Sequence, residues 1–329
     1  MRRRLFVAGV SVALYALVGG IDHCRGEANQ SAKNIPVILD TDIGDDIDDT
    51  WALGMLLKCP ELDLKLVVSD NGKAHYRSKL LAKFLETARR TDVAVGVGLD
   101  IEPSREGGQA AWVKDYELKS YPGKIHQDGV QALVDTIMQS REKITLICIG
   151  PVPNVAAALE REPHIAERAN FVGMHGSIRL GYDGNKTPAP EYNVAVDSKS
   201  CQKVFAAPWK ITITPLDTCG LVTLDGERYQ KVRDSEDIIA AAIIENYRIW
   251  NKDKTMAEQR SSTLFDCVAV YLAFSQELFK MEKLGIRVTD KDMTVIDEKA
   301  RLVNVATGWK DKDSFLDFMV SRLTAEGKQ

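Results

Sequence analysis

Short apolar runs rich in β-branched residues recur along the chain, separated by longer stretches in which apolar positions return every three or four residues. Residues 37–39, 64–68, 93–97, 144–149, 171–174 and 211–214 show the first pattern and predict buried parallel strands. Residues 50–58, 76–90, 129–140, 154–160, 198–206 and 235–250 show the second, with the length of crossover helices. Strand and helix thus alternate from Val37 to about Trp250, which predicts an α/β fold with a mainly parallel twisted sheet flanked by helices. Neither an internal repeat nor a low-complexity linker interrupts the alternation, so residues 34–329 read as one domain.

In such a sheet the ligand crevice lies at the carboxyl ends of the strands. Acids and amides stand there: Asp40-Thr41-Asp42 after the first run, Asp70-Asn71-Gly72 after the second, Gly150 to Asn154 after a later one and His175-Gly176 after another.

The amino terminus departs from this pattern. Arg2, Arg3 and Arg4 precede an apolar run from Leu5 to Val18, then Gly19-Gly20 and polar residues. That order is the layout of a signal peptide, expected over residues 1–28, and it predicts a secreted or periplasmic protein. The run is shorter than the ~20 residues that span a bilayer, so no membrane attachment is expected once the leader is removed, although no clean small-x-small cleavage site stands out. An uncleaved anchor is the alternative.

Composition adds little to the fold and more to the choice of partner. The 329 residues are 45% hydrophobic and 27% charged, with a net charge of -4, which is ordinary for a globular protein. With a sequence pI near 5.8 and no basic block beyond the first residues, nucleic acid is not an expected partner and a small molecule is. The six cysteines form no C-x-x-C pair, which argues against a zinc site; Cys148 and Cys267 sit in apolar runs as core residues, and one disulfide stays open.

The chemistry concentrates in one segment. Asp40, Asp42, Asp45, Asp46, Asp48 and Asp49 place six carboxylates in ten positions. Acids so dense at a strand end lower their mutual repulsion most simply by sharing a hard cation with oxygen ligands, such as Ca²⁺ or Mg²⁺. Capping of the following helix would account for one or two of them, not six. An acid in such a cluster can also take a proton from an activated water, which makes Asp42 the natural candidate for a base.

This segment resembles the amino-terminal D-T-D-x-G signature of the nucleoside hydrolase family, with its following Asp pair. Further landmarks follow in order: Gly150-Pro151-Val152-Pro153-Asn154 resembles the family's G-P-x-T-N turn, Met174-His175-Gly176 its M-G-G, Glu191-Tyr192-Asn193 its E-x-N, Pro215-Leu216-Asp217 its L-D-V-T and Phe265-Asp266 its late H-D. The resemblance spans roughly residues 35 to 275. It implies the nucleoside hydrolase fold with one calcium ion under a ribose pocket, and hydrolysis of the N-glycosidic bond of a nucleoside-like small molecule. Asp42, Asp49, Asp266 and the Pro153 carbonyl would hold the metal, with Asp42 also the base. Asp48, Asp70, Asn71, Met174, Glu191 and Asn193 would contact the substrate. Family members are usually homodimers or homotetramers. The chemistry agrees, since an oxocarbenium-like transition state needs an activated water and a steadied sugar.

Two departures stand out. Asp45 and Asp46 lengthen the loop between Gly44 and the Asp48-Asp49 pair, so that Asp46 competes for the role of either member of the pair. Phe265 stands where many family members have a His that helps protonate the leaving base. His175, at a strand end, is the first candidate to replace it, and His75 and His126 are weaker ones. Trp51, Trp112, Tyr116, Tyr182 and Trp250 are candidates to stack on a base. Two rival readings remain: a haloacid dehalogenase-type phosphatase using Asp40 and Asp42, and a calcium-dependent binding protein that keeps the pocket without turnover.

Overall fold

The computed structural model describes residues 34–101, 105–253 and 255–325. The expected leader and Cys24 lie outside the described residues.

The alternation of short apolar runs and amphipathic stretches becomes a single ten-stranded sheet among the described residues. In chain order the strands are β1 (Ile35–Thr41), β2 (Leu62–Ser69), β3 (Ala94–Gly96), β4 (Ile125–His126), β5 (Ile144–Cys148), β6 (Ala169–Met174), β7 (Lys210–Thr214), β8 (Phe279–Val288), β9 (Thr294–Ile296) and β10 (Leu302–Trp309). Their order across the sheet is β4-β3-β2-β1-β5-β6-β7-β10-β8-β9. Strands β1 to β7 and β10 pair in parallel, while β8 runs antiparallel to β10 and β9 antiparallel to β8.

Side chains alternate across the strands, and this divides the core in two. Val37 and Leu39 of β1 pack on one face, against α1 (Asp48–Leu57), α2 (Ala74–Thr87) and the helices Ile238–Trp250 and Lys312–Thr324. Ile38 points to the other face, against α3 (Gly129–Gln139), α4 (Pro153–Arg161) and the helix Ser198–Ala206. With both faces covered, the parallel strands need apolar residues at nearly every position, which is why the sequence shows them as runs.

The predicted strands and helices up to Trp250 all form, with ends displaced by a few residues. The chain then adds β8, β9, β10 and Lys312–Thr324, none of which the alternation foretells. Strand β8 alternates apolar residues with Lys280, Glu282, Lys283 and Arg287, so it has no apolar run to detect. Cys59, Cys148, Cys201, Cys219 and Cys267 are buried and unbridged. No helix among the described residues is long and apolar enough to cross a membrane.

The decisive feature for function is where the strand order reverses. From β1 the chain proceeds outward through β2, β3 and β4, then returns to β5 on the opposite side of β1. The connections leaving β1 and β5 diverge to opposite faces and open a crevice between their carboxyl ends.

Candidate active site

Strand β1 delivers its acids into that crevice. Thr41, the last residue of β1, accepts the Ile43 N–H at 3.2 Å and donates its hydroxyl to Asp49 Oδ1 at 2.5 Å. The strand end is thereby tied to the first turn of α1. Asp48 and Asp49 open that helix, whose amino-terminal residue Ile47 provides no side-chain cap, so capping does not account for the acids. Asp266 arrives from the far side, at the amino end of the helix Cys267–Leu272. Asp48, Asp49 and Asp266 each offer a carboxylate oxygen within 4.8 Å of the others, and all three are buried. Asp42 lines the same cavity. It packs so tightly on Gly150, in the loop after β5, that a Cβ there would lie 2.7 Å from Asp42 Oδ1, so only glycine fits.

Burial raises the proton affinity of these carboxyls, and their mutual repulsion adds to it. Asp48, Asp49 and Asp266 are pushed well above the ordinary range, by burial first and then by one another and by Asp42 and Asp46. Asp42 is pushed up to about 6 by burial, with the Arg77 guanidinium pulling the other way. Arg77 is itself buried: it donates to Asn71 O at 2.6 Å, to Ile43 O at 3.0 Å and to Asp45 Oδ2 at 2.9 Å. One guanidinium against this many acids leaves a strong negative potential. A set of buried oxygens so close together, short of positive charge, fits a hard divalent cation.

Asp45 and Asp46 shape the cavity's rim. Asp45 is held by Arg77, and its carbonyl accepts Trp250 Nε1–H at 2.6 Å. Asp46 caps Ile47 N at 2.6 Å, and its carbonyl accepts from Gln109 Nε2 at 3.1 Å. Gly107 lies against this loop, where a Cβ would stand 2.0 Å from Gly44 O.

The opposite wall is built for a polar ligand. Glu191 caps the helix Tyr192–Val196 and accepts three backbone N–H groups: Gly176 at 2.9 Å, Asn193 at 2.8 Å and Val194 at 3.3 Å. Burial nevertheless raises its carboxyl to about 7. The Asn193 amide nitrogen is committed to Ile149 O and Met174 O, both at 3.0 Å, which leaves its Oδ1 for a ligand. The whole cavity holds about 670 Å³, in the range of small-molecule sites, and includes Met174, Tyr182, Tyr192, Trp250 and Phe265.

Of the residues picked from sequence, Asp42, Asp48, Asp49, Met174, Glu191, Asn193 and Asp266 come together in this cavity. Pro153 begins α4 and is buried outside its lining. Asp70 and Asn71 also lie off the lining. Asp70 is fully buried and interacts with Asp40, whose carboxyl burial raises to about 7 although Asn154 Nδ2 donates to it at 3.0 Å. Asn71 presents its carbonyl to Arg77. His175 is corrected outright: it is sealed in the core against Phe171 and Phe205, its ring held neutral with a pKa near 3, and it does not reach the cavity. His75 and His126 are outside the lining too, as are Trp51, Trp112 and Tyr116. Sequence reasoning missed Arg77, Tyr192, and the rim cations Arg105 and Lys252. Arg77 had a signal: it shares a helix face with Leu80, Leu81 and Phe84, an unusual place for a cation that lacks buried partners.

A mainly parallel sheet with this buried acid cluster at its switch point defines an α/β protein with a polar small-molecule site, and the comparisons with known proteins identify the group. The chain belongs to the nucleoside hydrolase family: the family model described as inosine-uridine preferring nucleoside hydrolase matches residues 37–317. Among curated relatives, the pyrimidine-specific ribonucleoside hydrolase RihA of Salmonella arizonae is 27% identical, with 89% of this chain and 99% of the relative covered. The Escherichia coli protein of the same name is 26% identical over 88% of this chain and 98% of its own. The fold matches a solved plant nucleoside hydrolase with a TM-score of 0.77 at 20% identity, covering 89% of this chain and all of that one. It also matches a purine-preferring ribonucleoside hydrolase from Gardnerella vaginalis with a TM-score of 0.70 at 22% identity, over 88% and 98% of the two chains. This membership sets aside the phosphatase reading.

Proposed function

We propose that the protein is a calcium-dependent ribonucleoside hydrolase, exported by its amino-terminal leader, that releases a free base and ribose. The carrying observation is the trio Asp48, Asp49 and Asp266, buried carboxylates whose oxygens lie within 4.8 Å of one another.

Asp42, Asp49, Asp266 and the Pro153 carbonyl would hold the ion, with Asp46 or Asp48 able to share in the set. When bound, calcium supplies the positive charge that acidifies an attacking water and fixes the sugar hydroxyls. Asp42, raised toward neutrality by burial, accepts the proton of that water. Asp48, Glu191 and the free Oδ1 of Asn193 bind sugar hydroxyls, and Met174 packs against the ring. These contacts orient the anomeric carbon and exclude bulk water from it. Asp70 and Asn71 act from behind the wall, through Asp40 and Arg77. Assembly as a homodimer or homotetramer belongs to the same reading, as does a secreted or periplasmic location, on the strength of the basic and apolar first residues.

The test is a panel of nucleosides scored for reducing-sugar release before and after calcium chelation. Release that stops with chelation and returns with added calcium is the expected result. Nucleoside binding without base release would favour a binding protein instead, the reading that Phe265 in place of a His keeps in view.

A further inference from the structure

Cleavage of an N-glycosidic bond leaves the bonding electron pair on the base, and Phe265 has no polar hydrogen to offer it. Its ring meets that of Tyr182 edge to face, centroids 6.2 Å apart and planes at 80°, and both side chains line the cavity. The Tyr182 ring is 38% exposed, so it forms wall and not core. Its Oη accepts the Tyr192 N–H at 2.9 Å, and among the described residues nothing accepts its hydroxyl hydrogen. Accepting one hydrogen bond polarises a hydroxyl into a better donor. The backbone fixes its aim: Asn185 N donates to Tyr182 O at 3.1 Å and Gly181 N to Asn185 O at 2.8 Å, around Asp183 at φ 56°.

Resting on the nucleoside hydrolase reading above, we propose that the Tyr182 hydroxyl donates a hydrogen bond to the departing base. Uracil, for example, carries a carbonyl beside the breaking bond and leaves as a delocalised anion that such a donor stabilises. The C1′–N1 bond breaks heterolytically, its electron pair passing to N1 and the adjacent carbonyl oxygen. The water oxygen bonds to C1′ and its proton passes to Asp42, while the released base takes a proton from solvent at the mouth. The Tyr182 proton stays on its oxygen throughout, consistent with a hydroxyl pushed up to about 12, chiefly by burial. Arg105 and Lys252 at the rim add positive charge that favours an anionic leaving group. The buried His175 takes no part.

The decisive measurement uses full-length, calcium-loaded protein with uridine and 5-fluorouridine, whose fluorine makes the leaving anion more stable. Tyr182→Phe should lower kcat for uridine by about 10²-fold, with a distinctly smaller loss for 5-fluorouridine and KM changed little. Equal losses on the two substrates would reduce Tyr182 to a structural role, and a loss below about threefold on uridine would remove the hydrogen bond from the mechanism. If the wild-type protein hydrolyses inosine but not uridine, the same variant is scored on inosine, where a loss below about threefold overturns this inference and leaves the nucleoside hydrolase reading standing. Protein that releases no base from any nucleoside overturns both.

Discussion

Carboxylates on the outside of this molecule and carboxylates at the end of β1 are treated in opposite ways. Outside, Glu282 takes both amino groups of Arg179 at 2.6 and 3.0 Å, and hydrogen bonding to that guanidinium holds it down to about 2. Arg228 likewise grips Asp313 and Asp317 at 2.8 Å each. In the cavity, Asp42, Asp48, Asp49 and Asp266 are all driven upward by burial, and the nearest guanidinium, Arg77, spends its hydrogen bonds on two carbonyls and Asp45. These surface acids are matched with cations where only stability is at stake. The cavity acids are left unmatched where something from outside completes the charge.

The sharpest way to break this contrast is to remove an unmatched acid. Asp42→Ala should lower kcat/KM for a hydrolysed nucleoside by about 10⁴-fold or more, while the thermal melt of the chelated protein does not fall. Ribose release within tenfold of wild type would show that the cavity acids are as dispensable as the surface ones. Removing the buried Arg77 should act on folding: Arg77→Met costs about 3 kcal/mol in denaturant titration, because it strands Asp45 and two carbonyls without donors. Next comes Asn193→Ala, which should raise KM and lower kcat, together by about 10²-fold in kcat/KM, with calcium still bound in a calorimetric titration.

Proton linkage gives a fourth test, with a definite sign. Asp42 and Glu191 have folded-state values of about 6 and 7 against ordinary values of 3.8 and 4.5. Between those limits the folded chain binds more protons than the unfolded one, so the stability of the chelated protein is greatest at low pH in this window and declines as pH rises from about 4 to 7. Calcium should reverse the slope, because it binds the ionised acids. Melting curves that rise with pH without metal would contradict the charge account. The smallest effect belongs to the surface: Arg179→Ala should move the melting temperature by about 1 °C or less and leave turnover alone.

The same contrast explains what the sequence revealed. The Asp40 to Asp49 cluster is contiguous, so its crowding shows without a structure, and the strands through β7 show because burial on both faces makes them apolar throughout. Asp266 required a family resemblance, since more than two hundred residues separate it from Asp49. Arg77 shares a helix face with Leu80, Leu81 and Phe84, which marks it as buried, but its partners are the carbonyls of Ile43 and Asn71, which no residue pattern marks. His175 misled for a geometric reason. Met174, its neighbour at the end of β6, lines the cavity, and the pleat turns the next side chain to the opposite face, among Phe171 and Phe205. Strand β4, only two residues long, is too short for any periodicity to register.

Asp45 and Asp46, in the loop after Gly44, have a consequence for engineering. The backbone around Asp45 and Asp46 is gripped by Trp250, Gln109 and Arg77 and overlaid by Gly107, contributions from three separate stretches of chain. A chimera that shortened this loop would leave the Trp250 indole and the Gln109 amide without these acceptors, cost the Arg77 guanidinium one of its three, and open a gap under residue 107. The rim is therefore inherited as a block, and grafts that alter substrate choice have to carry all of its segments together.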